Sequence, residues 1–251
     1  MNARNIEEVI EELERVLARL RGRQSRLAFF AALYRAVTLR IARGIGQGQF
    51  EDGERMDRFD TAFANRYFAA LDTLLVGGRP PKSWAIAFDA EQREGTMILQ
   101  HLLLGINAHI NFDLPLAAIA IAPGASLPGL RADFLAINTI LADLLDAAQL
   151  AVGAVSPLLD ILDRLGGRTD EQIVTFSLQN ARDEAWHEAT RLAMELEMQR
   201  ARSILSLDRR VALLAERIIL PDGLFGAAIA LISRTEQFDV DAITERLLSI
   251  A

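Results

Sequence analysis

The chain contains no cysteine. Disulfides, thiolate metal sites and a cysteine nucleophile are thereby excluded, and the composition fits a reducing compartment. Histidine is scarce, with three in 251 residues. No stretch alternates apolar and polar residues as a half-buried strand does, and no Asn-Gly hairpin turn occurs. There is no glycine-rich phosphate loop, no G-x-S-x-G elbow and no H-E-x-x-H pair. The glycines of Gly44–Gly48 follow no strand, so a dinucleotide site is not supported. Positive charge is not in excess. The net charge is −7, with both signs spread along the chain, which argues against a general affinity for nucleic acid. Residues 1–20 interleave charges with Leu, Ile and Val, so no signal peptide is expected. The longest apolar runs, Ile110–Ala122 and Leu224–Ile232, are too short or too interrupted to span a bilayer. These absences lead to the expectation of a cytoplasmic protein.

What is present is helical periodicity. Apolar residues make up 51% of the chain, enough for one sizeable core. Ile6, Val9, Ile10, Leu13, Val16, Leu17 and Leu20 recur at spacings of three and four, the stripe of an amphipathic helix. That stripe either packs internally or forms a homodimer interface. Further helices are predicted over Ser25–Arg43, stopped by the glycines that follow, and over Glu54–Leu75. Val76–Ser83 is expected to be a loop. Asp89 with Gln92 suggests a capping box opening a helix that passes Met97 and His101. Arg131–Gly153 is a predicted helix, Pro157–Leu165 a short one, and Thr169 with Gln172 a capping box for a long helix reaching about Ile204. Leu207–Leu220, Leu224–Ile232 and Val240–Ile250 follow. The expected architecture is a single all-α domain over residues 1–251, compact, of about 8–11 helices in a bundle-like or orthogonal arrangement, with residues 1–24 packing on it as an amphipathic helix.

The most unusual stretch is His101–Pro115, HLLLGINAHINFDLP. A residue preceding proline disfavours the α conformation, so a break is expected near Asn111–Leu114, with Asp113 available to cap the helix beyond. At ~100° per residue, His101, Gly105, His109 and Asp113 share one broad stripe. His109 and Asp113 have the i, i+4 spacing that lets two groups ligate one metal or lets the carboxylate orient the imidazole. Asn107 and Asn111 form a second such pair. The third histidine, His187, lies on a helix with Asp183 and Arg191. His101, His109, His187 and Asp113 would together make a donor set for one divalent ion, Zn or Fe. The competing reading is structural. The asparagines would cross-link helices, Asp113 would be a cap, and His187 would lie on a solvated face.

FFAALYRAVT, FANRYFAAL, Trp84, LLLGINAHINFDLPLA, DFLAINTILADLLD and ARDEAWHEATRLA occur in this order. With them the chain resembles the bacterial and fungal domain-of-unknown-function 5995 family over about Phe29 to Leu196, NAHINFDLP being the most specific part. The resemblance implies a helical domain. It points to Asn107, His109, Asn111, Asp113, Asn138, Arg182 and Trp186, and it implies no activity. The His109–Asp113 pair followed by a proline is also similar to the helical His-x-x-x-Asp pair of zinc-dependent phospholipases C and single-strand nucleases. This chain lacks the further His-rich segments of those enzymes.

Two functions are compatible with these residues. One is an enzyme acting on a small, largely apolar or amphipathic molecule in a helical pocket. His109, Asp113, Asn107 and Asn111 would be its catalytic residues, and His101, Asn138, Arg182 and Trp186 would line the pocket. The enzyme would be either metal-dependent and hydrolase-like, or metal-free and isomerase- or cyclase-like. The other is a non-catalytic binder of an apolar ligand, or a protein-interaction domain, in which the polar motif is structural.

Overall fold

The computed structural model describes residues 1–153, 178–220, 223–236 and 239–250. The helix predicted at Pro157–Leu165 and the Thr169–Gln172 capping box lie outside them. Among the described residues the chain is all-α, with no strand. The helices are α1 (Ile6–Arg21), α2 (Ala28–Gly46), α3 (Gly53–Leu75), α4 (Lys82–Asp89), α5 (Ile98–Ile121), α6 (Arg131–Gly153), α7 (Leu178–Ala193), α8 (Glu197–Ile219), α9 (Gly223–Ser233) and α10 (Val240–Leu248).

α1 forms because Asn5 caps it, its side chain accepting from the Glu8 amide at 2.9 Å, and because one stripe is apolar. That stripe packs internally: Ile6, Val9, Leu13, Val16, Leu17 and Leu20 are buried, and the helix lies against α2 and α3. The predicted Arg131–Gly153 helix is present with those bounds. α2 runs past the first glycines and ends at Gln47, before Gly48 with φ 68°.

Three expectations fail where tertiary contacts decide. The loop predicted over Val76–Ser83 gives way to α4 at Lys82, and Asp89 is the last residue of that helix, not the cap of the next. The N-cap of α4 comes from elsewhere in the chain. Asp208 on α8 accepts from the amides of Lys82 at 2.8 Å and Ser83 at 3.0 Å, and from the Ser83 hydroxyl at 2.8 Å. The long helix predicted up to Ile204 is divided at Met194–Leu196. The turn lets Leu192 of α7 and both Leu207 and Val211 of α8 reach Phe112 and Leu116 of α5. Arg200 satisfies the carbonyls of Leu192 and Glu195 freed there.

The third failure concerns α5, where no break occurs. Ile98–Ala108 passes through a π turn, His109–Asp113, into Leu114–Ile121. The Leu114 amide donates to the His109 carbonyl, an i→i−5 bond, and this widened turn accommodates the missing N–H of Pro115. α5 is therefore 24 residues long, and by length and composition it is apolar enough to cross a membrane. Of its most apolar window, 78% is covered by protein. α5 touches α2, α3, α4, α7 and α8, so it is the axis about which they are arranged.

α2 approaches α5 closely at Gly105. A Cβ there would lie 2.4 Å from Cδ2 of Phe30, a buried ring on α2. Gly105→Ala is expected to force Phe30 out of place and destabilise the protein by about 1–3 kcal/mol. Urea unfolding would measure this; an unchanged midpoint would show that the α2–α5 contact is looser than described.

Candidate active site

The π turn brings His109 and Asp113 together, with Nδ1 and Oδ2 3.1 Å apart and both side chains buried. Asp113 also accepts from the Trp84 indole N–H at 2.8 Å, and Arg66 Nε lies 3.2 Å from its other oxygen. α3, α4 and α5 each supply one donor to this carboxylate. The N-cap role expected for Asp113 is not observed. Its backbone is helical and its side chain caps nothing, because it is committed to these three partners.

A carboxylate that accepts from Trp84 and Arg66 accepts from His109 too, so the proton sits on Nδ1 and the lone pair on Nε2. Phe63 stacks on the imidazole, with centroids 3.6 Å apart and planes 7° apart, and Tyr34 meets it edge-on at 4.5 Å. Burial pushes the His109 pKa down. Its bond to Asp113 and the charge of Asp113 oppose the shift, and Arg66 adds to it. His109 is therefore a neutral imidazole with one unused basic nitrogen.

His109 lines a cavity of about 100 Å³, measured by the space open to the centres of water-sized molecules, between α2, α3, α5, α6 and α7. The lining is mostly aliphatic and aromatic, with Leu33, Val37, Ile41, Phe59, Ile137 and Leu141 among its members. Four polar side chains interrupt it: Tyr34, Asp60, His109 and Arg182. His109 Nε2, the Tyr34 hydroxyl and Asp60 Oδ2 are buried and have no well-formed hydrogen bond among the described residues. Thr38 donates its hydroxyl to the Tyr34 carbonyl, and its side chain also interacts with the Tyr34 phenol, too weakly to count as a well-formed bond, opposing in part the rise of the phenol's pKa. Burial, with a lesser contribution from Asp57, raises the Asp60 pKa to about 7. Burial also drives the Tyr34 phenol well above its ordinary value.

Of the residues proposed from sequence, His109 and Arg182 line this cavity. Asn138 supports it from behind by accepting from Arg182 Nε at 2.6 Å. Asn107 and Asn111 turn toward α8. Asn107 donates to the Val211 carbonyl at 3.0 Å and accepts from Asn111 at 2.9 Å, so they cross-link helices. Trp186 packs between Phe134 at 4.9 Å and the Arg131 guanidinium at 4.8 Å, outside the cavity lining. His101 lines a smaller, separate cavity with Gly105 and Trp84, its pKa lowered to about 3, mainly by burial and less by the charge of Arg26.

The four-ligand metal set is not assembled. Eight residues along a helix correspond to a rise of ~12 Å, far too long for His101 and His109 to share an ion. His187 is exposed on α7. Among the described residues no three His, Cys, Asp or Glu side chains are grouped closely enough to hold a metal. Two cavity residues escaped functional notice in the sequence. Asp60 stands in phase with Met56, Phe63, Ala64 and Tyr67, a carboxylate on a core stripe, which is a readable signal. Tyr34 lies within the predicted Ser25–Arg43 helix with no local signal of a polar role, although a buried phenol needs a partner.

The chain belongs to DUF5995, a family of unknown function, whose model matches residues 6–221. No curated protein and no solved structure matches it.

Two measurements test this geometry. Asp60 is protonated in the folded protein up to about pH 7 but ionises near pH ~4 when unfolded. Its contribution to stability is therefore complete below pH ~4 and is lost as pH rises towards 7, on the order of a few kcal/mol. Asp60→Asn should flatten this slope in unfolding curves recorded between pH 4 and 8; an identical slope in the variant would overturn the assignment. Asp113→Asn keeps the shape but cannot accept from all three donors. A loss of at least about 2 kcal/mol is expected by denaturant unfolding, with Trp84 fluorescence altered.

Proposed function

We propose that the cavity binds a small, largely apolar molecule and moves a proton on it without a metal, in an isomerisation of the acid–base type. The observation that carries this reading is the set of three buried polar atoms, without a well-formed hydrogen bond among the described residues, on the side chains of one apolar cavity: His109 Nε2, Asp60 Oδ2 and the Tyr34 hydroxyl. Leaving such groups unsatisfied costs about 1–3 kcal/mol each, and a ligand presenting complementary groups relieves that cost.

The roles follow from protonation state. His109 Nε2 accepts a proton from a C–H made acidic by a neighbouring carbonyl, and Asp113 stabilises the imidazolium that forms. Asp60, neutral up to about pH 7, donates to the carbonyl oxygen as negative charge develops there. Tyr34 stays a phenol and supplies a second donor. The imidazolium then returns the proton to a different carbon, so atoms and charge balance with no added reagent. The apolar walls exclude water from the exchange.

The experiment follows proton transfer directly. The protein is incubated in D₂O with a panel of small apolar ketones, and deuterium incorporation is read by NMR. Incorporation above the buffer rate, lost in a folded His109→Gln variant, is the expected result. Binding of the panel with no incorporation would instead favour the non-catalytic binder, a reading in keeping with the mostly apolar lining.

A further inference from the structure

Among the described residues, Arg182 is the polar cavity side chain that the proton-transfer scheme leaves unused. It is 2% exposed, yet no carboxylate forms an ion pair with it among the described residues. Its hydrogen bonds go to neutral acceptors: Nε to the Asn138 side chain and Nη2 to the Phe134 carbonyl. The guanidinium also lies over the Phe134 ring, 4.3 Å from its centroid. These contacts fix its position without neutralising its charge. Asp183, next in sequence, favours the charged form only at a distance, and Arg131 opposes it. Burial has the largest effect and lowers the Arg182 pKa to about 9, so the group remains a cation at neutral pH.

A buried cation held by neutral groups is costly unless an anion joins it. Asp60 does not serve, since its buried Oδ2 makes no hydrogen bond to Arg182. Leu178, one turn before Arg182 on α7, lines the same cavity, so the cation stands beside apolar wall. Arg182 Nη1 makes no hydrogen bond among the described residues, where only Nε and Nη2 are engaged, and it is the donor offered to a ligand.

We propose that the ligand is an amphipathic monoanion, a small carboxylate with an apolar body, its carboxylate on Arg182 and its body filling the cavity toward His109. This rests on the reading of the cavity as a ligand site and adds the chemical class. A planar guanidinium favours carboxylate over neutral oxygen groups because the bond is charge-assisted on both sides. Asn138 is then a positioning residue, holding the guanidinium plane through Nε.

The test compares two probe series on the unmodified protein by NMR titration at pH 7: straight-chain C6–C10 monocarboxylates and the alcohols of equal chain length. The carboxylates are expected to bind at least tenfold more tightly. In Arg182→Gln the two series should bind equally. Alcohols binding as well as carboxylates to the unmodified protein would overturn the anion assignment and leave the apolar site standing. Failure of both series to bind would overturn the ligand site itself. The comparison on the unmodified protein decides the matter even where the Arg182 variant fails to fold.

Discussion

A single buried carboxylate organises this molecule. Asp113 is 1% exposed in a densely apolar region, and such a group is tolerated only when its oxygens are fully engaged. Its partners, Arg66, Trp84 and His109, come from three different helices. Trp84 reaches Asp113 only because α4 exists, and α4 begins where it does only because Asp208 on α8 supplies its cap. The π turn is part of the same arrangement. It absorbs Pro115 without ending the helix, so His109 and Asp113 remain on one continuous element.

The same device recurs at other chain entries. Ile6 N–H donates to Asp57, Arg26 N–H to Glu91, Glu51 N–H to Asp133, and Ile98 N–H to Glu236. Each carboxylate accepts from a buried or part-buried amide at or just before a helix start and favours the positive end of the helix dipole there. Because the acceptors lie far away in sequence, these contacts fix how helices stand relative to one another as well as where they begin. Acidic residues that look like a solvated face in a linear reading are in several cases the clamps of the fold.

Unpartnered buried atoms occur at several places among the described residues, His101 Nε2 and Thr244 Oγ1 included, but the cavity brings three of them to one apolar space. Asn107 and Asn111 complete their bonds between helices, and Asp113 completes its own among three. Tyr34, Asp60 and His109 do not, and they line one apolar space with the cation Arg182. Asp113 connects the two regimes. It belongs to the supporting framework, and through Nδ1 of His109 it determines which nitrogen is left basic. Sequence density alone pointed to all five polar residues of the motif, whereas bonding separates the two histidines, each with an unpartnered Nε2, from Asn107, Asn111 and Asp113, and only His109 lines the larger apolar cavity.

The all-α class, the stripe of α1, the extent of α6 and the i, i+4 pairing of His109 with Asp113 were legible from local periodicity. They follow from a 3.6-residue repeat and depend on no distant contact. The position of α4, the division of α7 from α8 and the continuity of α5 were not, because each depends on partners remote in sequence: Asp208 for the first, the shared packing on Phe112 and Leu116 for the second, and the widened turn for the third. The histidines followed the same rule. Their angular phase could be read from the sequence, but the axial rise between His101 and His109 kept them apart and exposure removed His187. The sequence by itself determined which residues face the interior. Tertiary structure alone decided which buried polar groups find partners, since satisfaction of a hydrogen bond is a matter of distance between helices and leaves no period in the chain.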